Sequence, residues 1–152
     1  MGKIIIGVDP DSSKHGVAVY LGGVLRDLHS LELPDFVGLL EFYFAINGEI
    51  EIHIEDVTAN NATFRKKFVK NDRAEKAVTR SVGKCQQAQI ELERFVAKYE
   101  LKLVRHKISN QWKNQAGKKI FEKVTGWKGR SNEDTRSAAY FGFLGLNITG
   151  RG

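Results

Sequence analysis

The residues KIIIGVD, Lys3 to Asp9, limit the fold more than any other stretch of the chain. Their β-branched run favours a buried strand, and the strand ends in an acid. After the turn cluster PDSSKHG, the segments VAVYL and VLRDLHSLEL read as two further strands joined by Gly22 and Gly23, a hairpin signal. Three consecutive hairpin-linked strands already restrict the chain to folds containing an antiparallel sheet.

Helical periodicity enters only after these strands. Pro34 and Asp35 start an amphipathic helix through FVGLLEFYFA, closed by Asn47 and Gly48. EIEIHIED alternates Ile50, Ile52 and Ile54 with polar residues and gives a fourth strand ending at Glu55. Thr58 to about Asp72 has weak periodicity and reads as a long loop. A helix from about Arg73 to Tyr99 buries Val78, Val82, Ala88, Leu92, Phe95 and Val96. LKLVRH is a fifth strand, one helix ends at Gly126, and the last runs from about Asn132 to Leu146. The order β, β, β, α, β, α, β, α, α predicts an α/β fold, a mixed five-stranded sheet flanked by helices, in a single domain over 1–152.

Charge narrows the class of partner. Ala59 to Lys84 carries eight basic residues against Asp72 and Glu75, a net of +6, and Arg105 to Arg130 carries eight against Glu122, a net of +7. The whole chain is only +6, which leaves −7 on everything else. Such segregation points to a polyanion, most simply nucleic acid held by phosphate contacts, although two solvated basic faces would give the same counts. A hydrophobic content of 41% with two prolines excludes disorder. One cysteine, no signal-like run and no apolar span of about 20 residues predict a soluble, cytoplasmic protein with no membrane association. Cys85 reads as an ordinary helix residue, and His15, His29, His53 and His106 show no metal-ligand spacing.

Two strands end in acids, Asp9 and Glu55. If the first and fourth strands are parallel neighbours, both carboxylates leave the sheet at one edge, where open sheets usually bind ligands. Facing carboxylates repel unless one is protonated or a cation bridges them. Mg²⁺ is the expected cation, because it takes carboxylates, water and phosphate oxygens. Solvent-facing strand ends are the plainer explanation. Asp134 would add a third acid, but SNED also reads as a capping box with Ser131 as cap and Asp134 as the reciprocal acid. Glu133 lies about 100° around the helix from Asp134, so only one of the two can face the strand ends squarely.

IIIGVDPDSSKHGVAVY, the acid of IHIED, SVGKCQQAQIELE and VTGWKGRSNEDTRSAA together resemble, in order and spacing, the RuvC-type Holliday junction resolvases of the RNase H-like nuclease superfamily. The resemblance implies an RNase H-like fold and a homodimeric endonuclease that cuts four-way DNA junctions symmetrically. It implies Mg²⁺, as two ions, with Mn²⁺ as a substitute. Asp9 matches the first catalytic acid, Glu55 the second and Asp134 an acid of the last helix. The family usually has another carboxylate or a His about three residues on, where this chain has Ser137, so Glu133 is a candidate stand-in and Asp11 a reserve ligand.

The basic segments take places in the same picture. Phe64 or Phe68 would wedge into the crossover, although packing on the long helix would account for either as well, and Arg65, Lys66, Lys67, Lys70 and Lys84 would contact DNA. Lys113, with Lys118 or Lys119, resembles basic residues near the scissile phosphate. Trp112 reads as core. Flaps, RNA–DNA hybrids, or branched DNA bound without cleavage remain alternative substrates. The chain's size suits a bacterial or phage-encoded protein.

Overall fold

The computed structural model describes residues 2–46, 49–59 and 72–149. One five-stranded sheet runs through it, built from β1 (Ile4–Asp9), β2 (His15–Leu21), β3 (Val24–Leu31), β4 (Ile50–Glu55) and β5 (Lys102–His106). The strand order is β3-β2-β1-β4-β5, with β1–β2 and β2–β3 antiparallel and β1–β4 and β4–β5 parallel. The helices are α1 (Leu33–Ile46), α2 (Asp72–Ala97), α3 (Gln115–Thr125) and α4 (Glu133–Thr149). The expected mixed sheet is therefore present. At the β2–β3 hairpin, Gly22 and Gly23 take φ of 58° and 82°, a backbone conformation that is strained for residues with side chains.

The period-2 geometry of β1 divides its residues between two cores. Ile4, Ile6 and Val8 pack with Phe36 and Leu40 of α1 and Leu92 and Val96 of α2. Ile5 packs on the opposite face with Trp112, Phe121, Ala138 and Ala139. Gly7 and Asp9 share that second face with Ile5, and Gly7 explains how closely α4 lies against it. A Cβ at Gly7 would stand 2.0 Å from the Ala138 carbonyl oxygen, and one at Gly16 would stand 2.3 Å from that of Asp134. The two glycines let the start of α4 rest on the strand ends.

The predicted buried face of α2 is present in part: Leu92 and Val96 are buried, whereas Val82, Ala88 and Phe95 are half-buried. The Val78 side chain lies outside the described residues, as do Asn47 and Gly48 and most of the loop expected between Thr58 and Asp72. Among the described residues no helix is long and apolar enough to cross a membrane.

The capping expected for α4 is corrected by one position. Asn132 is the cap: its Oδ1 accepts from the Thr135 N–H at 2.8 Å, and the Thr135 hydroxyl accepts from the Asn132 N–H at 2.9 Å. Ser131 instead accepts from Arg136 Nη1. The reciprocal partner is thus a threonine rather than Asp134, whose carboxylate has no part in the cap.

Candidate active site

Asp9 and Glu55 end adjacent parallel strands. The β1–β4 register runs from Ile4 opposite Ile50 to Val8 opposite Ile54, so the two acids follow at the same level and on the α4 face. Each is only 4% exposed. Burial, then the neighbouring Glu55 charge, pushes the Asp9 carboxyl up to about 8, against the pull of Lys113 and the Ser137 hydroxyl. Burial also raises Glu55, with Lys113 and the Ser109 N–H, 3.4 Å from its Oε2, acting against it. Half-buried Asp134 is raised by burial and then by Asp11, and its charge acts in turn on both strand-end acids. Burial and mutual repulsion thus favour a retained proton on the pair, against the pull of Lys113.

Two buried atoms at this point lack hydrogen-bond partners among the described residues: Asp9 Oδ2 and Ser137 Oγ. The Ser137 hydroxyl is near enough to lower the Asp9 carboxyl, yet no hydrogen bond of normal geometry joins them. Unsatisfied buried polar atoms are few in native interiors and call for a missing partner. A small divalent cation fits the Asp9–Glu55 pair on these grounds. Among the described residues, no group of three or more His, Cys, Asp or Glu stands close enough to hold a metal ion. The fit therefore rests on the pair, with Asp134 acting from the helix end.

Lys113 supplies the positive charge, its Nζ standing 3.8 Å from Asp9 Oδ2. Its backbone is held on several sides. Trp112 adopts φ 69°, and its ring packs on Phe121, Tyr140 and Phe143. A Cβ at Gly117 would stand 2.6 Å from the Trp112 Cα. Buried Arg136 donates from Nε to the Trp112 carbonyl at 2.8 Å and from Nη2 to the Lys113 carbonyl at 2.6 Å. One arginine thus ties α4, which carries Asp134, to the loop that carries Lys113.

No protein-family model matches the chain, and no curated protein matches it in sequence. Solved structures do. T. thermophilus RuvC in complex with a Holliday junction substrate aligns over 99% of this chain and 97% of its own, with a TM-score of 0.64 at 9% identity. The fold is that of RuvC. A second Thermus thermophilus RuvC structure aligns over 97% and 96% of the two chains, with a TM-score of 0.58 at 10% identity.

Within this RuvC fold the other expected site residues scatter. Glu133 is exposed on the first turn of α4, Lys84 is exposed on α2, and on α3 Lys118 is half-buried and Lys119 exposed. Phe64, Arg65, Lys66, Lys67, Phe68 and Lys70 lie outside the described residues. Asp11 accepts from the Ser12 N–H at 2.6 Å and approaches Cys85 Sγ at 3.9 Å, and burial raises the Cys85 thiol away from nucleophilic character.

The sequence also left unread a buried polar chain that the RuvC fold assembles beneath α4. Lys3 Nζ meets Glu51 Oε2 at 3.0 Å, Glu51 Oε1 meets His53 Nε2 at 2.7 Å, and His53 Nδ1 meets His106 Nε2 at 2.7 Å. Burial holds both imidazoles below their usual range. Burial also pushes Glu51 up, but hydrogen bonds from Lys3 and His53 outweigh it, so its carboxyl stays low. With Nε2–H of His53 donating to Glu51 and Nε2–H of His106 donating to His53, every link is satisfied with neutral rings.

Proposed function

We propose that this chain is a metal-dependent endodeoxyribonuclease that resolves four-way DNA junctions by paired, symmetric nicks, acting as a homodimer in the cytoplasm. The observation that carries this reading is the buried Asp9–Glu55 pair at one sheet edge of a RuvC fold, raised toward protonation and faced by a lysine. Asp9 and Glu55 would hold the ions together with Asp134. When bound, Mg²⁺ or Mn²⁺ would supply an activated water and charge stabilisation for the leaving 3′ oxygen. The chain's own residues bind and orient. Lys113 steers a phosphate to the acid pair, Arg136 fixes the loop that presents it, and α4 with its tryptophan cluster keeps that side dry. Lys118, Lys119, Lys84 and the basic segment from Arg65 to Lys70 would track the backbone, with Phe64 or Phe68 at the crossover.

Cleavage of labelled four-way junctions, flaps and RNA–DNA hybrids, with and without Mg²⁺, tests this. Paired nicks across the junction support the resolvase. Preference for a flap or hybrid would make the chain a different nuclease of the same fold. A second reading, a junction-binding protein without activity, is favoured by one observation, the hydroxyl of Ser137 beside Asp9 where a carboxylate would complete the site. Binding without cleavage in any metal would select it.

A further inference from the structure

The acid pair already has a cation of its own. Among the described residues Lys113 is the one cation in an ion pair with Asp9 or Glu55. The contact is loose, because 3.8 Å exceeds the 2.7–3.2 Å of a charge-assisted hydrogen bond. The backbone is rigid where the side chain is not: Arg136 and Gly117 fix the Trp112–Lys113 segment, whereas the lysine stem is 26% exposed. The ammonium can therefore leave the pair without any movement of the loop.

We propose that Lys113 is a resident counter-ion that stands in for a divalent cation at Asp9 and Glu55 and is displaced from them when the cation binds. This rests on the metal-dependent reading above and deepens it. A divalent ion and an ammonium cannot share two buried carboxylates, since like charges at such separations repel strongly in a partly dry site. Ion entry expels the ammonium to the rim, where the next anion it meets is a phosphate on the approaching strand. The lysine thus links cation binding to substrate capture, holding the acids together before loading and facing the DNA afterwards.

Removing Lys113 should strengthen cation binding, the opposite of what a supporting ligand would do. The site's potential becomes more negative, which draws a proton to Asp9, but a divalent ion feels the same change twice as strongly. The test is Mn²⁺ titration of the full, EDTA-stripped chain without DNA, followed by electron paramagnetic resonance of the free ion near neutral pH. Lys113→Met and Lys113→Gln should each bind Mn²⁺ about tenfold more tightly than the parent chain, and Glu55→Gln should lose the binding. Both lysine variants should also melt at lower temperature in EDTA, with Mn²⁺ restoring the loss. Equal or weaker Mn²⁺ binding by both variants, with Glu55→Gln still abolishing it, overturns the proposal and leaves the nuclease reading intact. Melting in EDTA unchanged from the parent also overturns it. Absence of Mn²⁺ binding in the parent and every variant overturns both.

Discussion

Asp9→Asn should make the metal-free chain more stable, although it removes a residue at the centre of the proposed site. An aspartate ionises near 3.8 when unfolded, whereas burial and Glu55 hold Asp9 protonated to about 8 in the fold. Folding at neutral pH therefore takes up a proton, at a cost that grows by about 1.4 kcal/mol for each pH unit above the unfolded value. Because the folded state binds the extra proton, this contribution is intact below 3.8, declines as pH rises, and reaches its floor near 8, where the folded carboxyl also ionises. At pH 7 the penalty is at most about 4 kcal/mol. Asparagine has no such proton to acquire, and the lost attraction to Lys113 trims the gain. Urea unfolding in EDTA across this pH range would measure it. The variant should match the parent near pH 4, gain progressively to at most about 4 kcal/mol at pH 7, and plateau above 8, with unchanged m-values. A gain independent of pH, or a loss at pH 7, would refute the assignment of the raised carboxyl.

Glu55→Gln and Asp134→Asn should each abolish junction cleavage while leaving junction binding in EDTA within about twofold, as gel shift would record; retained cutting by Asp134→Asn would remove that acid from the site. Arg136→Lys cannot reach the Trp112 carbonyl, the Lys113 carbonyl and Ser131 together, so it should cost about 2–4 kcal/mol in denaturant unfolding. Replacing both Lys66 and Lys67 with alanine should weaken junction binding and reduce its dependence on log[salt] by about 1–2 in slope. A slope identical to the parent's would take that segment off the DNA path.

Much of the fold was legible because its signals are local. KIIIGVD and EIEIHIED announce strands within themselves, and the alternation of helix and strand that follows made β1 and β4 natural parallel neighbours, which brought Asp9 and Glu55 to one edge. What escaped depends on distant or closely similar partners. Ser131 and Asn132 are both good caps, with acceptable residues three positions on, so the sequence pattern could not choose between them; packing did. Arg136 carried no motif because two of its three acceptors are backbone carbonyls more than twenty residues earlier. His53 and His106 read as unrelated histidines because nothing in either segment reveals that they meet across β4 and β5.

That histidine pair has a consequence for assembly. Parallel strands rich in isoleucine and valine are nearly interchangeable along their length, and a slip of one residue would still bury apolar surface. Such a slip at β5 would turn the His106 side chain to the opposite face and leave His53 Nδ1 in the interior without its donor, while Glu51 keeps Lys3 and His53. Leaving that buried ring nitrogen unpaired costs about 1–3 kcal/mol, a noticeable part of the stability of an ordinary domain. The Glu51–His53–His106 chain thus works as a key cut for one alignment. It disfavours a slipped β5, and so fixes where that strand stands against β4, the strand whose end carries Glu55.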